Sequence, residues 1–487
     1  MAKRKRKGRP PQAQHGSKSK SSRHDKRRRL TRRNGQRRRT TEAAVPLTGG
    51  VATLVAAMSR MLDARNAFRL PIIIAGAMLA SGRRTAASWF RCAGVNDDWD
   101  RFYDALPSIG KRAVSLMLPL LAFILKKFDP GAQGYWTLAI DDSPTKRFGP
   151  CVEAANIHHN PTPGPGDGDW LYGHNWVCLA MVLGHPLFGI IALPLLSRLY
   201  VRKVDIAALR AHYDWEFRTK LELALELCRH VMSALRGLGS QAGFVIVFDG
   251  AYAARALVRP LLAEGATIVT RLRRDAKLFD LPVNKTGQRG RPRKYGQNRI
   301  SLAKRAGRRD GWQTVKYLCR GVVTTGRYKT FLATSHVVGG AVRVVLLEHA
   351  SGNWAAYVST DTSMNVETIL KIVSDRWSIE EHFHDVKEIW GAGQQQVRKV
   401  WSNIGCWHLC GWLYALVELE SWDLTAEQLI DRSDRPWDNP NRRPSHADRR
   451  RRITREMLRN EFLSVLPDTP ENTKIRHRFE RLLALAT

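Results

Sequence analysis

The sequence predicts an α/β protein, and three observations predict it. Two short apolar runs, Trp136–Ile140 and Phe244–Phe248, read as buried strands, and each is followed at once by acid: Asp141-Asp142 and Asp249. A long helical stretch, roughly Ile206–Leu238, lies between them, as in folds that alternate strand and helix around one sheet. Further on, strand-like runs at Thr314–Val322, Lys329–Val337, Val342–Leu347 and Trp354–Ser359 predict an antiparallel meander.

Taken in order, residues 1–45 are polybasic and nearly devoid of large apolar side chains, which predicts a disordered tail. Within it Lys7-Gly8-Arg9-Pro10 has the form of a minor-groove hook, or of a solvated arm that holds DNA non-specifically. Residues 50–130 carry helical periodicity through Val51–Met61, Leu70–Leu79, Thr85–Cys92 and Val114–Phe128, and are expected to form a helical DNA-binding domain. Ser81-Gly82-Arg83-Arg84-Thr85 predicts the turn of a helix-turn-helix, with Thr85 as N-cap and Trp89 packed inward. A first part of the core is expected over 135–275; past the Pro/Gly loop at Asn160–Gly166 it has strands at Asn175–Leu183, Leu187–Leu195 and Ala266–Arg273. A β-rich insertion over 276–362, a second part of the core over 363–420 and an Arg-rich C-terminal region over 421–487 complete the expected order.

Charge points to the partner. The net charge is +35, of which Met1–Thr40 supplies +17, from 18 Lys or Arg against the single acid Asp25. The rest of the chain keeps +18, so the body attracts a polyanion without its tail; double-stranded DNA is the expected partner. Seven scattered cysteines without a C-x-x-C pair predict neither a disulfide framework nor a ribbon-type zinc site, and fit a reducing cytoplasm. Cys406-Trp-His408-Leu-Cys410 runs into apolar residues and reads as a buried helix rather than a metal site. No apolar stretch reaches the roughly 18–20 residues that span a bilayer.

The chemistry centres on a third acid. In Asp375-Arg-Trp-Ser-Ile-Glu-Glu-His-Phe-His-Asp-Val-Lys387, a turn of about 100° per residue puts Glu380 about 40° and Lys387 about 20° from Arg376. One narrow helix face thus offers cation, carboxylate, cation, while Glu381 lies about 100° further round. The arrangement suits a metal-bound phosphate between basic grips; it also suits an ordinary i,i+4 ion pair on a solvated face. Cutting and joining phosphodiesters needs divalent ions, and a few convergent carboxylates hold Mg²⁺, with Mn²⁺ expected to substitute.

Arg376, Glu380 and Lys387, at spacings of four and seven, resemble the signature of bacterial insertion-sequence transposases of the DDE class, the branch named for its Tyr-Arg-Glu-Lys motif. Ile140-Asp-Asp-Ser-Pro-Thr-Lys146 is similar to that family's first-acid block and Val247-Phe-Asp-Gly-Ala-Tyr252 to its second. The resemblance implies a ribonuclease-H-like catalytic core, a β-rich insertion before the Glu, Mg²⁺ at a triad of two Asp and one Glu, and paired subunits on two DNA ends. The signature's Tyr falls on Val373, which leaves open whether the hairpin-forming pathway is shared. Strand periodicity does not choose between Asp141 and Asp142; the family pattern, with the ligand immediately before Ser or Thr, favours Asp142.

The resulting expectation is a cut-and-paste transposase, nucleoid-associated in a bacterial cytoplasm, acting as a homodimer on transposon ends and target. Asp142, Asp249 and Glu380 are the expected metal ligands, Asp141 a neighbouring catalytic acid, and Arg376 and Lys387 the phosphate grips. Arg271 and Arg273 at strand spacing, and Arg291 and Arg293 in a second hook-like loop, Arg289–Lys294, are candidate DNA contacts. His158, His159 and His174 are expected to anchor the Pro/Gly loop, with metal ligation as the alternative reading. The competing readings are an endonuclease without strand transfer and a non-catalytic DNA-binding protein derived from a transposase.

Overall fold

A computed structural model describes residues 40–130, 134–160, 163, 168–283, 291–349, 352–432, 437–466 and 469–486. Most of the basic tail, its hook, most of the Pro/Gly loop, and Arg289 and Gly290 of the second hook-like loop lie outside these.

The chain opens with α1 (Gly49–Ser59), α2 (Ala64–Ala67), α3 (Arg69–Leu79), α4 (Ala86–Cys92), α5 (Trp99–Lys111) and α6 (Ala113–Lys127). Thr85 caps α4 as the sequence indicates: its Oγ1 accepts from the Ser88 amide, Ser88 returns the bond, and Trp89 is fully buried. Helix α5 falls between the helical runs that the sequence predicts; its apolar positions Phe102, Ala105, Leu106 and Ile109 lie on one buried face.

The sheet follows. Strands β1 (Tyr135–Lys146), β2 (Asn156–His159), β3 (Trp170–His185) and β4 (Gly189–Tyr200) pair antiparallel, with β3 between β1 and β4. The predicted long helix is two, α7 (Ile206–Arg210) and α8 (Lys220–Gly237), with the second started by a capping box between Thr219 and Glu222. Then β5 (Gly243–Phe248) lies parallel to β1, and β6 (Ala266–Leu272) parallel to β5, joined by α9 (Arg255–Ala263). The order β4-β3-β1-β5-β6, three antiparallel strands followed by two parallel ones, is the ribonuclease-H-like arrangement.

The β-rich insertion comprises β7 (Leu278–Phe279), β8 (Arg299–Ile300), α10 (Leu302–Gly307), β9 (Gln313–Cys319), β10 (Val322–Ser335), β11 (Gly340–Glu348) and β12 (Trp354–Ser359). It extends the core sheet, since β12 pairs antiparallel with β6, and the described strands form one twelve-stranded sheet. Helices α11 (Val366–Asp375), α12 (Ser378–Glu388), α13 (Val400–Glu420), α14 (Ala426–Leu429), α15 (His446–Val465) and α16 (Thr473–Ala486) complete the chain.

One hydrophobic core runs from Val51 to Met457, so the N-terminal helices and the sheet share it. Its axis is α13, buried from Val400 to Leu419 apart from Trp401; Cys406, His408 and Cys410 lie inside this helix, and His408 bonds to Ile404 and Ser197. Among the described residues no single helix is long and apolar enough to cross a membrane.

Helices α5 and α13 touch backbone to backbone at Gly110 and Gly405. A Cβ at Gly405 would sit 2.1 Å from the Leu106 carbonyl oxygen, and one at Gly110 would sit 2.2 Å from that of Trp401. Alanine would gain about 1 kcal/mol of helix propensity. No rotamer relieves a clash between two backbones, however, and overpacking costs about 1–3 kcal/mol or more. Gly405→Ala is therefore expected to lower the thermal unfolding midpoint; an unchanged midpoint would mean that the crossing re-spaces freely.

Candidate active site

The acids gather where the sheet loses a neighbour. The β1–β5 ladder ends at Ile140↔Phe248, but β1 continues to Lys146 paired with β3 alone. Asp141 and Asp142 thus lie inside a strand, not at its end as the sequence suggested, beside the crevice that β5 vacates. Asp249 is the first residue past β5, and its Oδ1 accepts from the Ala251 and Tyr252 amides at 3.0 and 3.4 Å, fixing the turn.

The third acid comes from the junction of α11 and α12. Arg376 and Trp377 form a turn between the two helices, tightened by the bonds Ile379 N–H to Arg376 and Glu380 N–H to Trp377. The backbone nonetheless stays near helical, so the i,i+4 pair survives: Arg376 Nη2 lies 2.9 Å from Glu380 Oε1. The other end of the same guanidinium, Nη1, is 2.5 Å from Asp141 Oδ2. Arg376 therefore ties strand acid to helix acid.

The adjacent acids diverge, as alternation along a strand requires. Asp142 Oδ2 accepts from Lys220 Nζ of α8 at 2.6 Å and its Oδ1 from the Tyr252 hydroxyl at 3.0 Å. Asp141 carries the larger perturbation: burial pushes its carboxyl up to about 7, Arg376 opposes this, and the charges of Asp249 and Asp142 add to it. Burial likewise pushes the Tyr252 hydroxyl up and the Lys387 ammonium down.

Asp141, Asp142, Asp249, Arg376, Glu380 and Lys387 line one cavity of about 850 Å³. The sequence profile of a family described as DDE superfamily endonuclease matches residues 57–330, which include the three aspartates. The chain belongs to the DDE superfamily endonuclease family. Among solved structures, a piggyBac transposase synaptic complex with hairpin DNA is similar over 93% of this chain and 80% of that one, at 11% identity and a TM-score of 0.37. No curated protein matches.

In this DDE endonuclease the available donors are carboxylate oxygens, which suit a hard divalent ion such as Mg²⁺. Among the described residues no three His, Cys, Asp or Glu side chains converge closely enough to hold one. Asp141 and Glu380 are drawn to Arg376, and Asp142 to Lys220 and Tyr252, so holding an ion requires acids to exchange a cationic partner for it. The donor set fits the ion in chemistry.

The remaining candidates lie elsewhere. Arg271 and Arg273 are exposed and do not line the cavity; Arg273 pairs with Asp275. Arg291 and Arg293 are exposed on the insertion, also away from the cavity. His174 accepts from Arg147 Nε at 3.1 Å and bonds the Glu153 carbonyl, partners that lie outside the Pro/Gly loop, and burial lowers it to about 3. Sequence reasoning missed a further part of the cavity wall, formed by Arg443, His446 and Arg449. It also missed Lys220 as the partner of Asp142; nothing local in the sequence signals either.

Proposed function

We propose that this endonuclease is a cut-and-paste transposase of the bacterial insertion-sequence type, of the Tyr-Arg-Glu-Lys branch. It would cleave DNA at transposon ends and transfer the freed strands to a target, with Mg²⁺ as cofactor and Mn²⁺ as substitute. The observation that carries the reading is the Asp141–Arg376–Glu380 bridge inside an acid-walled cavity of a chain with net charge +35.

Asp141, Asp249 and Glu380 would hold the ions. The sequence pattern favoured Asp142; what supports Asp141 is the guanidinium it shares with Glu380, a link that Asp142, held by Lys220 and Tyr252, does not make. Bound ions would activate the attacking oxygen and stabilise the leaving one. Arg376, released from its acids, and Lys387 would grip the scissile phosphate. Arg271, Arg273, Arg291 and Arg293, exposed outside the cavity, would hold flanking double-stranded DNA, as would the tail and the N-terminal helices over 50–130. A homodimer on two ends and a nucleoid-associated cytoplasmic location complete the proposal.

The test is product analysis with Mg²⁺, a duplex carrying the element's ends and a supercoiled target. Joined donor–target molecules support the transposase. Linear cut ends alone would leave an endonuclease without strand transfer, and no cutting at all would leave a DNA-binding protein. Chelation of the metal with EDTA is expected to abolish both cleavage and joining; activity that survives it would sink the metal assignment.

A further inference from the structure

Beside the acid chamber lies a second cavity of about 1110 Å³ with the opposite charge. Among the residues that line it only Glu388 is acidic, against Arg83, Lys146, Arg147, Lys387 and Arg398. The two cavities share Pro144, His384, Lys387 and Glu388, so Lys387 stands at the partition between them.

The walls of this trough are tied together from below. The Arg84 amide donates to Gln394 Oε1 at 2.9 Å and Gln395 Nε2 donates back to the Arg84 carbonyl, fixing the turn before α4 to the turn after α12. Arg147, buried, donates to the Gly393 carbonyl at 2.7 Å, and the Glu153 amide donates to the Arg398 carbonyl at 3.0 Å. Arg83, Lys146 and Arg398 are exposed, and Phe148 is 76% exposed in the same wall. A large aromatic held out to solvent in a basic groove is the combination that binds unpaired nucleotides: the cations track the backbone and the ring stacks a base. A duplex interior offers no free base face, so the ring selects for single strand.

We propose that this trough binds a single-stranded DNA segment adjoining the phosphate that is cut, with Phe148 stacking an unpaired base and Arg83, Lys146 and Arg398 holding phosphates. The proposal rests on the reading that phosphodiester chemistry occurs in the adjoining chamber. The strand passes over Lys387 from one cavity to the other, and the turn of the N-terminal helices at Arg83 thereby joins the DNA path.

The test uses the full chain and fluorescence anisotropy with two probes of one sequence: a blunt duplex of about 20 base pairs, and the same duplex with a tail of about six thymidines. The parent is expected to bind the tailed probe more tightly. Phe148→Ala is expected to weaken the tailed probe about tenfold and leave the blunt one within about twofold. Phe148→Trp should restore the preference; Phe148 is too exposed for either change to unfold the chain. Arg83→Ala with Arg398→Ala should flatten the salt dependence for the tailed probe by about 0.7 per lost phosphate contact. Equal loss on both probes, or no loss on either, would overturn the proposal. A parent that prefers the tail but never cuts DNA would refute the catalytic reading and leave the trough standing; one that cuts but shows no tail preference would do the reverse.

Discussion

Glu380→Gln is expected to lower Mg²⁺-dependent DNA cleavage by about three orders of magnitude or more while DNA affinity stays within about twofold. An ion held beside the reacting phosphate is worth several kcal/mol of transition-state stabilisation, and about 1.4 kcal/mol is tenfold in rate. Gln keeps the volume and one acceptor oxygen, so the fold and the Arg376 contact survive while the charge that holds the ion is lost. Asp141→Asn should lose cleavage to the same degree, because the same guanidinium joins the two acids in one cavity. Asp142→Asn should not. Its Oδ1 position still accepts from the Tyr252 hydroxyl, and its other bond goes to Lys220 rather than to the guanidinium that joins Asp141 and Glu380. A loss of about tenfold or less, through a loosened α8, is the expectation there. The three variants are compared in one single-turnover cleavage assay beside a binding measurement. If Asp142→Asn is as dead as Asp141→Asn, the first-ligand role returns to Asp142.

That contrast shows where the sequence stops being legible. Arg376 and Glu380 could be paired from spacing because an i,i+4 contact tolerates the turn that interrupts the helix at Trp377. Asp249 could be placed because Phe244–Phe248 is an unbroken buried strand with one possible end. Strand periodicity could not choose between Asp141 and Asp142, because Leu138, Ala139 and Ile140 are all fully buried and the strand has no solvent face to set its phase; the choice of Asp142 rested on resemblance alone. The order of core strands and meander followed from periodicity, whereas the break at 211–219 and the amphipathic α5 were hidden by polar composition. The wall formed by Arg443, His446 and Arg449 comes from the start of α15 and the loop before it, far along the chain. It reaches the acids only through tertiary packing, for which Arg-rich sequence gives no address.

The same wall carries the largest expected stability effect. Glu418 is fully buried on α13, and its Oε1 accepts from His446 Nδ1 at 2.5 Å and from Arg449 Nε and Nη2 at 3.0 and 2.6 Å. Trp390 Nε1 donates to His446 Nε2 at 2.8 Å, so the imidazole proton sits on Nδ1 and donates to the carboxylate. Arg449 is itself buried, so Glu418→Gln strands its charge without a counter-ion, and breaking such a pair costs about 3–5 kcal/mol. The exposed pair Arg459–Glu480, with 51% and 42% of its side chains exposed, is the control. Its contacts are as short, yet Glu480→Gln should cost no more than about 1 kcal/mol. Acid should reveal the same difference. Burial alone would raise the Glu418 carboxyl, but Arg449 and His446 outweigh it and hold it below its ordinary value. A depressed carboxyl stabilises the fold above its unfolded value of about 4.3, and that contribution is lost as pH falls through the lower folded value. The gap in unfolding midpoint between parent and Glu418→Gln should therefore stay constant from about pH 7 to 5 and narrow below about 4.3. A gap that persists unchanged to about pH 3 would show that the ionised carboxylate is not what holds Arg449 and, with it, this part of the cavity wall.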